Sequence, residues 1–157
     1  MSLFHEPRMM NIASRESGPA AEEPRVPTRQ SVLVIDDDVA VDESFGEMLK
    51  AAGYDVHAEG SCNAGISYLQ SAQPSVIILD QHLPDGTGLD CLRRLRQIAS
   101  HRERPVAILT GDYFLDPEVA KELKTLGASV FFKPVWEDDL LRIVRQLLEQ
   151  APQRNEP

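Results

Sequence analysis

The chain has 157 residues, 42% of them hydrophobic, and its 25 acidic side chains against 16 Lys and Arg give a formal net charge of -9. That length and apolar content suit one domain with a substantial core. The acidic surface repels phosphate backbones and argues against nucleic acid as a partner, and no run approaches the roughly eighteen apolar residues of a membrane span.

Residues 1 to 30 carry Pro19, Pro24 and Pro27, no apolar period, and four Arg that cancel four Glu, so they read as a flexible arm without a signal-peptide core. A cytoplasmic location is expected. A strand, "VLVI" (32 to 35), then runs into Asp36, Asp37 and Asp38, and a helix follows over 39 to 52, ended by Gly53. "YDVHA" (54 to 58) reads as the second strand, and Ser61 caps a helix over 62 to 72. The third strand, "SVIIL" (75 to 79), ends at Asp80, where "LPDGTG" turns the chain into a helix over 88 to 99. "PVAILT" (105 to 110) ends on Thr110. Asp116-Pro117 opens a helix to 126 that Gly127 closes. "SVFF" (129 to 132) leads into Lys133-Pro134 and a last helix over 137 to 150, and residues 151 to 157 read as a short tail.

Cys62 and Cys91 lack metal-ligand spacing and read as buried free thiols of a reducing compartment, while His5, His57, His82 and His101 form no ligand set. Trp136 reads as a packing residue, and the basic stretch "RRLRQIASHRER" (93 to 104) as a solvated face.

Strands this apolar on both faces belong in a parallel sheet covered by helices on each side, a doubly wound α/β fold of five strands and five helices. Its site lies outside the carboxyl ends of the strands. If the first and third strands are neighbours, Asp36, Asp37 and Asp80 converge, and like charges about 4 Å apart repel by about 4 kcal/mol at an effective dielectric near 20. A compensating cation is required, and an all-oxygen site suits Mg²⁺. With Lys133 as a fixed positive charge and Thr110 as a hydroxyl donor, the set can stabilise a phosphoryl group in transfer to a carboxylate nucleophile.

"VLVIDDD", "VIILDQHLPDGTGLD", "ILTG" and "FFKP", in this order and spacing, resemble the receiver domain of two-component response regulators over about residues 31 to 150. The resemblance implies a (βα)5, CheY-like and flavodoxin-like fold. It also implies Asp80 as phosphoacceptor, Asp36 and Asp37 as the acidic pair holding Mg²⁺, and the backbone carbonyl of His82 as a further metal ligand. Thr110 matches the switch hydroxyl, Lys133 the lysine that pairs with the phosphoryl group, and Pro134 a cis-proline. The partners implied are a sensor histidine kinase or phosphotransfer protein and a downstream protein, or a homodimer through the face of the fourth helix, fifth strand and fifth helix. Such a domain is a signalling regulator that catalyses only its own phosphorylation and autodephosphorylation.

Two departures stand out. The family's aromatic switch position, three before the lysine, is Val130, and Phe131 and Phe132 alternate onto opposite faces. His82 and Asp112, two residues after Asp80 and Thr110, form an unusual polar pair expected to alter the rate of autodephosphorylation. Two other functions compete: a degenerate receiver acting as a phosphate-independent interaction module, motivated by Val130, and an aspartyl-nucleophile phosphatase with Asp36 as nucleophile. Ala40 breaks the phosphatase signature.

Overall fold

The computed structural model describes residues 29–151. The expected arm falls outside the described residues except for Arg29 and Gln30, and the tail except for Ala151. Five strands, β1 (Ser31–Ile35), β2 (Asp55–Glu59), β3 (Val76–Asp80), β4 (Val106–Thr110) and β5 (Ala128–Phe132), form one sheet with parallel pairing. Its order is β2-β1-β3-β4-β5. The helices are α1 (Val39–Ala51), α2 (Cys62–Leu69), α3 (Gly88–Gln97), α4 (Pro117–Thr125) and α5 (Glu137–Gln150). None is long and apolar enough to cross a membrane.

Side chains alternate along each strand, and so the sheet feeds two cores. Leu33, Ile35, Ile77, Leu79 and Ile108 meet Leu92, Leu95 and Leu123 from α3 and α4. Val32, Val34, Ile78, Ala107 and Leu109 meet Phe45 and Leu49 of α1 and Leu140, Val144 and Leu147 of α5. Every residue of β3 and β4 is buried, which explains their unbroken apolar runs.

Local chemistry sets the helix ends. Asp38 caps α1, Ser61 caps α2, Thr87 and Asp90 form a capping box on α3, and Asp116 with Pro117 opens α4. Gly53 (φ 96°) and Gly127 (φ 79°) follow α1 and α4 in the left-handed region. No side chain caps α5, but Glu137, Asp138 and Asp139 in its first turn face the positive end of the helix dipole.

Several expectations need correction. The second and third strands sit one residue later than read, so that Asp80 is the last residue of β3 rather than the first beyond it. The second helix ends at Leu69 and not 72, where the chain tightens into turns on Ser67 and Tyr68. His82–Leu83 and Gly86–Thr87 pair as a two-residue ribbon, and Ala99–His101 form a 3₁₀ turn. The basic stretch is not wholly solvated: His101 is fully buried, and Arg96 donates to the carbonyls of Leu126, His101 and Arg104. Trp136 is 70% exposed and does not pack. Cys62 and Cys91 are free and buried, at the start of α2 and in α3.

Candidate functional site

The order of strands reverses between β1 and β3, and the carboxyl ends of β1, β3, β4 and β5 open on the same edge. Asp36 follows β1 directly and is 2% exposed. Its N–H donates to the Glu59 carbonyl at 3.0 Å, and its Oδ1 accepts from the Asp38 N–H at 2.9 Å. Asp37 projects from the same turn and is exposed. Asp38 turns the other way, capping the Ala40 and Val41 amides.

Asp80 is 6% exposed. Its Oδ1 accepts from the His82 N–H at 3.2 Å and its Oδ2 from Lys133 Nζ at 3.1 Å. The Gly88 N–H returns to the Gln81 carbonyl at 2.9 Å, which presses the start of α3 against the end of β3. A Cβ on Gly88 would come within 2.7 Å of the Asp80 carbonyl oxygen, so only glycine fits there without moving the end of β3. Asp85 reaches back from the same turn to accept from the Cys62 and Asn63 amides at 3.0 and 2.8 Å, tying the loop beyond Asp80 to α2.

Carboxylate oxygens of Asp36, Asp37 and Asp80 lie within 4.8 Å of one another. Lys133 Nζ stands 3.5 Å from Asp36 Oδ2 as well as 3.1 Å from Asp80 Oδ2. Burial alone would lower the Lys133 ammonium, but Asp36 and Asp80 outweigh it and the pKa is raised. Burial raises the Asp36 carboxyl and the Asp80 charge adds to it, although the Asp38 amide and Lys133 pull it down. Three carboxylates against one ammonium leave a charge of about −2 when all are ionised, which fits a divalent cation held by oxygen donors. Thr110 closes the edge, fully buried, with its Oγ1 accepting from the Asp112 N–H at 3.1 Å. The Lys133 N–H donates to the Thr110 carbonyl at 2.8 Å, and the Lys133-Pro134 peptide bond is cis.

Asp36, Asp37, Asp80, Thr110 and Lys133 therefore share one edge, with His82 exposed beside them. Val130 lies apart, packed into the core under α3 and α4. Reading the residues in sequence missed Asp42, an acid one turn into α1 whose Oδ1 is shielded and unpartnered, and Asp85. The signal for Asp42 was its spacing of four from Asp38, which sets it above the acidic turn on the same helix face.

A doubly wound domain with this acidic edge is the architecture of a signalling receiver, and the comparisons specify it. Residues 32–145 match the response regulator receiver domain, and the chain belongs to that family. It is 30% identical over 125 residues to the response regulator protein TmoT of Ectopseudomonas mendocina, covering 80% of this chain and 56% of that protein. It is 30% identical over 130 residues to the transcriptional regulatory protein FixJ of Bradyrhizobium diazoefficiens, covering 83% and 60%. The chain thus spans a little over half the length of these curated relatives. Among solved structures, the chemotaxis response regulator CheY4 of Vibrio cholerae superposes with a TM-score of 0.71 at 28% identity, covering 77% of this chain and 100% of that one.

Proposed function

We propose that this receiver is a phosphoacceptor, with Asp80 taking a phosphoryl group from the phosphohistidine of a sensor kinase or phosphotransfer protein. The observation that carries the reading is Lys133 Nζ set between Asp80 and Asp36, with Asp37 completing an acidic cluster open to solvent. Asp36, Asp37 and Asp80 would hold Mg²⁺, with the His82 carbonyl as a further ligand, and the ion supplies charge neutralisation for the phosphoryl oxygens when bound.

A carboxylate oxygen of Asp80 attacks phosphorus, the P–N bond of the phosphohistidine breaks, and its electron pair stays on the imidazole nitrogen, which regains a proton. Lys133 then turns its ammonium to a phosphoryl oxygen, and the Thr110 hydroxyl donates to another while its oxygen keeps the Asp112 amide. Hydrolysis regenerates the carboxylate, at a rate that His82 and Asp112 at the mouth of the site alter. The output is a changed face formed by α4, β5 and α5 that binds a downstream protein or a second copy, in the cytoplasm. Switching a population from 1:99 to 99:1 takes about 5.5 kcal/mol, within reach of a few charge-assisted hydrogen bonds.

Acetyl phosphate tests the reading. Intact mass should gain one phosphoryl group in a Mg²⁺-dependent manner in the wild type and none in Asp80→Asn. Folded wild-type protein that gains no phosphoryl group from acetyl phosphate or from a phosphorylated histidine donor would refute it in favour of the phosphate-independent reading.

A further inference from the structure

The residue in register with the family's aromatic switch, Val130, is partly buried in the core and carries neither ring nor hydroxyl. Another aromatic connects the same parts. Beyond β4, the Asp112 N–H donates to Thr110 Oγ1 at 3.1 Å and the Phe114 N–H donates to Asp112 Oδ1 at 2.9 Å. These two bonds hang the segment from 112 to 114 on the Thr110 hydroxyl. Tyr113 leaves that segment and reaches β5. Its hydroxyl donates to the Lys133 carbonyl at 2.6 Å, and its ring stacks on Phe132 with centroids 5.7 Å apart and planes 14° from parallel.

Lys133 is consequently held at both backbone polar groups, its N–H by the Thr110 carbonyl and its carbonyl by Tyr113. Tyr113 is 64% exposed and Phe132 46%, so this brace lies on the surface of the site and not in its core. Trp136, the chain's single tryptophan, follows three residues after Lys133 and is exposed.

We propose that Tyr113 is an output relay, carrying the movement of Thr110 and Lys133 to the exposed turn from Pro134 to Trp136. The proposal rests on Asp80 being phosphorylated. When Thr110 moves toward a phosphoryl group, the 112 to 114 segment moves with it through its hydroxyl. Tyr113 transmits that displacement to the Lys133 carbonyl and to Phe132, while the lysine ammonium leaves Asp36. Val130 need not move.

The test uses the full chain with acetyl phosphate and Mg²⁺, comparing wild type, Tyr113→Phe and Tyr113→Leu. Adduct yield is followed by intact mass, and the response by Trp136 emission and by hydrogen exchange over residues 128 to 137. The expected result is a phosphorylation-dependent change in wild type that falls by half or more in Tyr113→Phe, which keeps the ring, and vanishes in Tyr113→Leu. Adduct yield and thermal midpoint should stay at wild-type levels in both. An unchanged response in both variants, or a wild type that is phosphorylated without any response, overturns the relay and leaves the phosphoacceptor reading standing. Loss of adduct in the variants assigns Tyr113 to the transfer chemistry and also overturns the relay. If the wild type forms no adduct with acetyl phosphate and none with a phosphorylated histidine donor, both readings fall together.

Discussion

Asp42 offers a sharp electrostatic test. Its Oδ1 is shielded from solvent and has no hydrogen-bond partner, and burial first, then the charges of Asp36, Asp38 and Asp37, push its carboxyl up to about 6 from 3.8. Such a rise would correspond to about 3 kcal/mol for a fully shielded group, at about 1.36 kcal/mol per tenfold change in proton affinity. The side chain is only partly buried, and solvent screening brings the expected cost of the ionised form to about 1 kcal/mol. The native state binds the proton more tightly than the unfolded chain, so this contribution is favourable below about 3.8 and is lost as pH rises through about 6. Asp42→Asn should therefore unfold at a temperature higher by a few °C at about pH 7.5, with little gain at about pH 4. Added Mg²⁺ should shrink the gain, since a cation among Asp36, Asp37 and Asp80 offsets part of the field on Asp42. Thermal and urea unfolding at both pH values measure it. A gain of equal size at both, or a loss at the higher pH, would show that the ionised Asp42 carboxylate does not destabilise the native state.

Other consequences follow from the same edge. Lys133→Gln should slow phosphorylation by acetyl phosphate on the order of 100-fold while tightening Mg²⁺ binding, because it removes the phosphoryl partner and the competing cation together; a variant with weaker Mg²⁺ affinity by calorimetry would contradict this. Mg²⁺ at about 100 times its Kd should stabilise the wild type by about 2.7 kcal/mol. Asp37→Asn should lose most of that shift, whereas Asp38→Asn, which retains a capping side chain, should keep it. Gly88→Ala should lower the thermal midpoint and the yield of phosphoprotein together, because its Cβ would displace the carbonyl of Asp80. Unchanged phosphorylation in that variant would mean that the end of β3 tolerates the shift.

Much of this architecture was legible because β1, β3, β4 and β5 are short apolar runs that end at or just before a polar residue of the site, whereas β2 is mixed and largely unburied. β3 and β4 are buried on both faces, so apolar continuity marked them, and Asp80 and Thr110 stood out as the polar residues that end them. Ser61, Asp116-Pro117, Gly53 and Gly127 announced their helix ends by local rules that tertiary context does not override here. What stayed hidden depends on pairs distant in the chain. Asp85 caps a helix 23 residues earlier, and Tyr113 meets a carbonyl 20 residues later, and neither contact has a local pattern. Arg96 looked like one more surface charge, yet it collects three carbonyls that only the folded loop brings together. Trp136 misled for the opposite reason, since a large aromatic was assigned to packing while the turn before α5 leaves it in solvent.

In the proposed function Asp80, and no other carboxylate of the cluster, receives the phosphoryl group. Borohydride reduction of the phosphoprotein, followed by peptide mapping, converts an aspartyl phosphate to homoserine and so marks the acceptor. Conversion is expected at Asp80 alone, dependent on Mg²⁺. Conversion at Asp36 would exclude Asp80 as the acceptor and point instead to the aspartyl-nucleophile phosphatase.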